Sequence, residues 1–293
     1  MQVLVTITSP DDSLLRKAEA ALNSCTEVWP QLDQSTLFMH RGENVAVVGM
    51  RSPQSDAKAQ VKVKAEIVTV LDGLAFVESR SVDAAALATE DLGSARSRLE
   101  GCYVAARANL TTGEIEVVTD PLGTRMVFVA QLGRSWLVAN NAHVLMRILD
   151  SPRWDMDGVR LLMGFAGTAH GRSLIEGIRV IPSGHRWNWR PGMAAPHEES
   201  YFGARELTDV HPTGVSARDA GEVGERISAQ IHAAANTGRP LRAPITGGRD
   251  SRVLAAIIAK ARIECDFFTA ASPGSAEERS ATEVARVLGV PHR

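Results

Sequence analysis

Along residues 1 to about 200, apolar positions fall in short alternating or continuous runs: QVLVTIT (2–8), TLFMH (36–40), VAVVGM (45–50), CYVAARANL (102–110), EIEVVT (114–119), MVFVAQL (126–132), SWLVAN (135–140) and HRWNW (185–189). Runs of this length and spacing predict an antiparallel β domain. RGEN, between the second and third runs, reads as a hairpin turn, and Thr112-Gly113 is hairpin chemistry between two extended segments. Two helices are expected here, over SLLRKAEAAL (13–22) and DGVRLLMGFAG (157–167).

After Phe202 the period changes. ELTDVHPTG (206–214) reads as a linker, and Ala217, Ala220, Val223, Ile227 and Ile231 then recur at three- and four-residue spacing, one face of a helix. A short run ending at Ile245, a glycine loop, a helix from about Ser251 to Ala261, the run ECDFFTAA (264–271) and a last helix over 276–289 follow. The order β-loop-α-β-α calls for parallel strands joined by right-handed crossovers. The expected domains are 1–204 and 212–293, and 293 residues with 44% hydrophobic content suffice for two cores.

Charge narrows the choice of partners. With 32 basic and 34 acidic residues the formal net charge is −2, which provides no single-sign field to attract nucleic acid or anionic lipid. No run of 18 uninterrupted apolar residues and no leader-like start occurs, so the chain reads as cytoplasmic and not membrane-bound. Cys25, Cys102 and Cys265 lack metal-ligand spacing and read as buried thiols.

The glycine loop lies in APITGGRDSRVLAAI (243–257). A strand entering a glycine-rich turn that opens a helix gathers unpaired backbone N–H groups at the positive helix end, where phosphate binds. Gly247 and Gly248 permit close approach and the φ > 0 geometry such loops often use. Thr246 and Ser251 add hydroxyls, and Asp250 beside a phosphate calls for Mg²⁺ between them. A plain glycine turn with Asp250 or Ser251 as helix N-cap explains the same residues. Neither GxxxxGK[ST] nor GxGxxG is present.

TGGRDS (246–251) resembles the SGGxDS pyrophosphate loop of the ATP pyrophosphatases, and the flanking residues resemble the asparagine synthetase family. The stretch 99–145, with Asp120, Leu122 and Gly123 in a D-x-L-G turn, is similar to that family's glutaminase-type domain. So is 173–189, with Glu176-Gly177-Ile178 and Pro182-Ser183-Gly184-His185. The stretch 267–292 resembles the family's second strand, acidic pair and helix, with Glu277, Glu278, Ala281, Ala285, Gly289 and His292 on matching positions.

The resemblance implies an α+β N-terminal Ntn-hydrolase-like α/β/β/α sandwich, followed by the start of an α/β adenine-nucleotide α-hydrolase (PP-loop) domain. It implies ATP and Mg²⁺ as cofactors and formation of an acyl adenylate that a nitrogen nucleophile converts to an amide. Thr246, Gly247, Gly248 and Ser251 would hold pyrophosphate, Asp250 would bind Mg²⁺, and Ile245 and Ala270 would meet the adenosine. The acceptor would be a small-molecule or peptide carboxylate.

Two departures from the family are visible. Gln2 occupies the position of the nucleophilic cysteine, and HRGEN matches the glutamine-binding segment HRGPD only in part, so no glutaminase is expected. The family's synthetase domain also continues well beyond His292, so a separately encoded C-terminal half or a homo-oligomer is an expected partner. Free ammonia or an amine of the substrate itself, as in the β-lactam synthetases and lasso-peptide cyclases, are alternative nitrogen sources. A noncatalytic nucleotide-binding or scaffold protein is the competing class.

Overall fold

The computed structural model describes residues 2–32, 34–51, 60–149, 151–169, 171–208, 214, 216–238 and 240–293; at Gln2 it describes the backbone. Two compact units are present, one of residues 1–75 and 82–210 and one of residues 76–81 and 211–293. The expected linker at 206–214 falls mainly outside the described residues, but Glu206, Leu207 and Thr208 belong to a helix, Ala204–Thr208.

The strands up to residue 200 are β1 (Gln2–Thr8), β2 (Thr36–Arg41), β3 (Val45–Arg51), β4 (Val61–Lys64), β5 (Ile67–Val77), β6 (Arg80–Val82), β7 (Glu100–Asn109), β8 (Ile115–Thr119), β9 (Phe128–Leu132), β10 (Ser135–Ala139), β11 (Ile178–Val180), β12 (His185–Trp189) and β13 (His197–Ser200), and all but the end of β5 and the start of β6, residues 76–81, belong to the first unit. Among the described residues these form a six-stranded sheet in the order β11-β9-β10-β1-β3-β2. A second sheet runs β13-β12-β8-β7-β5-β4, with β6 on β5. β1 lies inside the first sheet, antiparallel to both β10 and β3. The alternation of β1 explains its place between two cores. Val3, Val5 and Ile7 face the helix Asp12–Asn23, through Leu14, Ala18 and Leu22, and the helix Ala142–Ile148, through Val144 and Leu145. Leu4 faces the other way, into the inter-sheet core with Val45, Val47, Val68, Val117 and Trp187. Full burial of a valine, leucine or isoleucine such as Val5, Ile7 or Leu22 stabilises the fold by about 1.5–3 kcal/mol relative to exposure. Trp136, Trp187 and Trp189 cluster in that core, Trp189 lying 5.8 Å from Trp187 and 6.4 Å from Trp136.

On the far face of the second sheet lie, among the described residues, two single helical turns, Ala84–Leu87 and Leu92–Ala95, each capped by an aspartate side chain. Arg107, on the side of β7 opposite Val104 and Ala108, donates to the Leu87 carbonyl (2.8 Å) and marks that face. The first unit is thus mixed α and β with antiparallel sheets and helices outside both. The apolar pattern predicts no strand between 51 and 100, where β4, β5 and β6 lie, because lysines and the Asp72-Gly73 step break it.

In the second unit the helix Ala217–Ala235 starts at a capping box of Ser216 and Asp219. Its expected apolar face is covered only in the second half: Ile231 packs on the core, whereas Ala217, Ala220 and Val223 are exposed. β14 (Arg242–Pro244) and β15 (Asp266–Phe268) pair in parallel through the helix Arg249–Lys260. The helix Ala276–Leu288 then returns the chain to a parallel bridge between Phe267 and His292, so β15 has parallel neighbours on both sides. Ala243, Ile245, Ala255, Ile258, Phe267, Ala281 and Ala285 form the core.

Candidate functional site

The parallel register sets Pro244 opposite Phe268, so the segments that follow, Ile245–Thr246 and Thr269–Ala270, leave the sheet at the same carboxyl end, the usual ligand side of an open parallel sheet. Ile245 is fully buried; its N–H donates to the Phe268 carbonyl (2.9 Å) and its carbonyl accepts from Thr269 Oγ1 (2.7 Å). Thr269 Oγ1 also lies 2.7 Å from His292 Nε2, which joins all three parallel segments at this end. Ala270 is exposed.

The loop 246–251 differs from the expected open cradle in three ways. Its amides are already engaged: the Thr246 N–H donates to Ser251 Oγ (3.1 Å), the Gly247 N–H to Glu277 Oε1 (2.8 Å) and the Gly248 N–H to Thr246 Oγ1 (3.1 Å). The Thr246 and Ser251 hydroxyls bond each other at 2.7 Å. The amides of Thr246 and Gly248 are therefore satisfied within the turn, and that of the exposed Gly247 by a carboxylate from another helix. Secondly, Gly248 has φ −70° and Gly247 is not in the left-handed region, so neither glycine is required for backbone freedom. A Cβ at 248 would meet Thr246 Oγ1 at 3.1 Å, and one at 247 would meet Glu277 Oε2 at 3.3 Å; the glycines are explained by close approach. Thirdly, the helix begins at Arg249, two residues before the expected Ser251. Gly248 is its N-cap, with no side-chain cap bond, so neither Asp250 nor Ser251 caps it.

This last feature is the chemically open one. The first amides of a helix lack intrahelical partners, and their positive end favours an oxyanion. Asp250 sits in that first turn, exposed and with no ion pair among the described residues. Mg²⁺ commonly uses one or two carboxylates and completes its shell with phosphate oxygens and water, so Asp250 and the uncapped helix start fit a magnesium-bound phosphate. Among the described residues no group of three His, Cys, Asp or Glu forms a self-contained metal cage.

At the start of the first unit the nucleophile position carries a carboxamide residue, Gln2. Gln2 opens β1 with its backbone opposite Arg51, while its side chain lies outside the described residues. Nearby, the Leu4 N–H donates to Asn140 Oδ1 (3.0 Å) and Asn140 Nδ2 to Asp72 (3.2 Å). Arg51 stacks over Phe38, 5.0 Å from the ring centroid. Burial, and then the Arg51 charge, hold the His40 imidazole below its ordinary pKa. The expectation of three buried thiols is corrected at Cys102, which is exposed, while Cys25 and Cys265 are buried. Burial pushes the Cys25 thiol up to about 11 against the opposing Arg147 charge, and burial also raises Cys265, so neither is an available thiolate at neutral pH.

Asp120, expected in a D-x-L-G turn, is fully buried after β8. Its carboxylate accepts from the Leu122, Thr124 and Arg125 amides (2.9, 3.2 and 3.2 Å) and from Thr124 Oγ1 (2.7 Å). Its backbone N–H donates to the Tyr103 carbonyl, and its carbonyl accepts from Gly184. It therefore joins β7, the end of β8 and the 182–185 segment, which belong to two of the matched stretches, as a structural group. Leu122 of the same motif is 77% exposed and contributes nothing to the core. Among the described residues no helix is long and apolar enough to cross a membrane.

No family model matches the chain, and no curated protein matches it. Among solved structures it is similar to the glutamine phosphoribosylpyrophosphate amidotransferase of B. subtilis complexed with ADP and GMP, at 12% identity and a TM-score of 0.43, over 99% of this chain and 65% of that one. It is likewise similar to a structure described as the allosteric regulatory enzyme of purine biosynthesis, at 12% identity and a TM-score of 0.40, over 99% of this chain and 64% of that one. The chain thus spans a little under two thirds of the length of both.

Proposed function

We propose that the chain is part of an asparagine-synthetase-like amide-forming ligase that activates a carboxylate with Mg·ATP and hydrolyses no glutamine. In this reaction a carboxylate oxygen attacks the α-phosphorus, pyrophosphate leaves, and a nitrogen nucleophile then displaces AMP from the acyl adenylate. The observation that carries the reading is the uncapped start of the helix Arg249–Lys260, with Asp250 in its first turn and the Thr246 and Ser251 hydroxyls beside it. These groups offer amides, hydroxyls and one free carboxylate to a magnesium-bound phosphate, and the exposed Ala270 offers backbone at the adenosine side, whereas the N–H and carbonyl of the buried Ile245 are already engaged. The opposing observation is that the 246–248 amides are already satisfied, which suits a noncatalytic loop.

Calorimetry with Mg·pyrophosphate and Mg·ATP separates the two. Wild-type protein is expected to bind both. Asp250→Asn should lose most of the magnesium dependence, weakening binding by about 1–3 kcal/mol, the range for a charge-assisted contact. Gly248→Val should abolish binding by filling the approach to the helix start, since its Cβ already lies 3.1 Å from Thr246 Oγ1 and no φ strain is involved. Equal affinity in all three, or no heat in folded wild type, would sink the proposal.

A separate expectation concerns glutamine. Incubation with it should release no glutamate above a buffer blank, and Gln2→Cys should not restore release, because HRGEN matches the glutamine-binding segment only in part and a nucleophile needs its substrate held in place. Glutamate production sensitive to a thiol alkylator would overturn this.

A further inference from the structure

Gly247 and Glu277 are 30 positions apart, yet the exposed Glu277 carboxylate sits on the loop as an oxyanion would. Its Oε1 accepts the Gly247 N–H at 2.8 Å, and Oε2 lies 3.3 Å from the site of a Gly247 Cβ. The contact is held by the start of the helix Ala276–Leu288. There Ser275 is the N-cap through its hydroxyl, which accepts from the Glu278 N–H (3.2 Å). Glu278 reaches back to the Gly274 N–H, and Ser280 Oγ lies 3.7 Å from the Gly247 Cβ site. The two carboxylates of the acidic pair thus do different things: Glu278 closes its own turn, while Glu277 crosses to the loop. A negative charge on this amide repels any second anion approaching the adjacent helix start, and both compete for the same positive end.

We propose that Glu277 is an anion-mimicking latch, a carboxylate that fills the Gly247 position of the loop until a pyrophosphate-type ligand displaces it. This inference rests on the reading of the 246–251 loop as a phosphate site and adds how that site is kept closed. Displacement costs the loop one charge-assisted hydrogen bond, returned by the ligand at the same amide. Binding is therefore weaker than the open loop would give, and selective for ligands with enough negative charge to compete.

The test uses the full chain and Mg·pyrophosphate. Glu277→Gln keeps an acceptor for the Gly247 N–H but removes the charge, and Glu277→Ala frees the amide altogether. Both are expected to tighten pyrophosphate binding by about three- to tenfold at low salt, less at high salt, where screening already weakens the latch. Glu283→Gln, on the same helix but paired with Arg286, should leave affinity unchanged. Without ligand, the Gly247 amide proton resonance should move upfield in Glu277→Ala and nearly keep its wild-type position in Glu277→Gln. Measurable binding of equal or weaker affinity in both Glu277 variants overturns the latch alone. Absence of binding in wild type and in both variants, all folded, overturns the phosphate-site reading and the latch with it.

Discussion

Replacing Asp120 with alanine is expected to lower the unfolding free energy by about 3 to 5 kcal/mol, a large share of the roughly 5–15 kcal/mol that keeps a protein folded. The carboxylate is fully buried and receives three backbone amides and one hydroxyl. Alanine removes every acceptor at once and strands the donors, each at a cost of about 1–3 kcal/mol unless water enters. Asp120→Asn keeps one oxygen but turns an NH₂ toward the Thr124 hydroxyl and the Arg125 amide, so about half the loss is expected. Urea unfolding followed by tryptophan fluorescence measures both, with the midpoint moving and the slope unchanged. An unfolding free energy within about 0.5 kcal/mol of wild type for Asp120→Ala would show that the turn is held by its backbone bonds alone.

Gly73→Ala is expected to be at least as damaging. Gly73 sits within β5 at φ +105°, a region closed to side chains, and a Cβ there would lie 2.1 Å from the carbonyl oxygen of Cys102 on β7. Neither the strain nor the clash can be relieved by a rotamer change, because both partners are backbone. β5 must part from β7, and a loss of about 3 kcal/mol or more follows. Gly133→Ala supplies the comparison. Its φ is +61° but nothing lies within 4 Å of the added carbon, so only the conformational term of about 1 kcal/mol is paid. Thermal unfolding of the two variants should therefore separate clash from strain, and equal melting temperatures would contradict the placement of β5 against β7.

Much of the first sheet was legible because β1, β3, β9 and β10 alternate or run apolar without interruption, and each is buried on at least one face. β5 was not, although it is the longest strand. It carries Asp72 and Gly73 at its centre, and a glycine that permits close strand approach looks in sequence like a break. At the loop, residue types and their order pointed to Thr246, Gly247, Gly248, Asp250 and Ser251 as one strand-turn-helix unit, and the chain does bring them together. The state of its amides was hidden, because the acceptor for Gly247 comes from Glu277, on the next helix but one element removed. Long-range hydrogen bonds leave no periodic trace. The helix start at Arg249 was equally hidden, since a glycine N-cap without a side-chain bond has no signature of its own.

The central place of β1 in its sheet bears on how the chain is made. One edge of β1 is covered early by β3, but Val5 pairs on the other edge with Ala139, 134 positions further on. At ribosomal rates of about 5–20 residues per second, that edge waits on the order of ten seconds for its partner. During the wait, QVLVTIT is an apolar β-forming segment with open hydrogen-bonding groups, able to pair with another nascent chain. Contact order, more than final stability, is expected to limit soluble yield, and slower synthesis at lower temperature or a holdase chaperone should raise it.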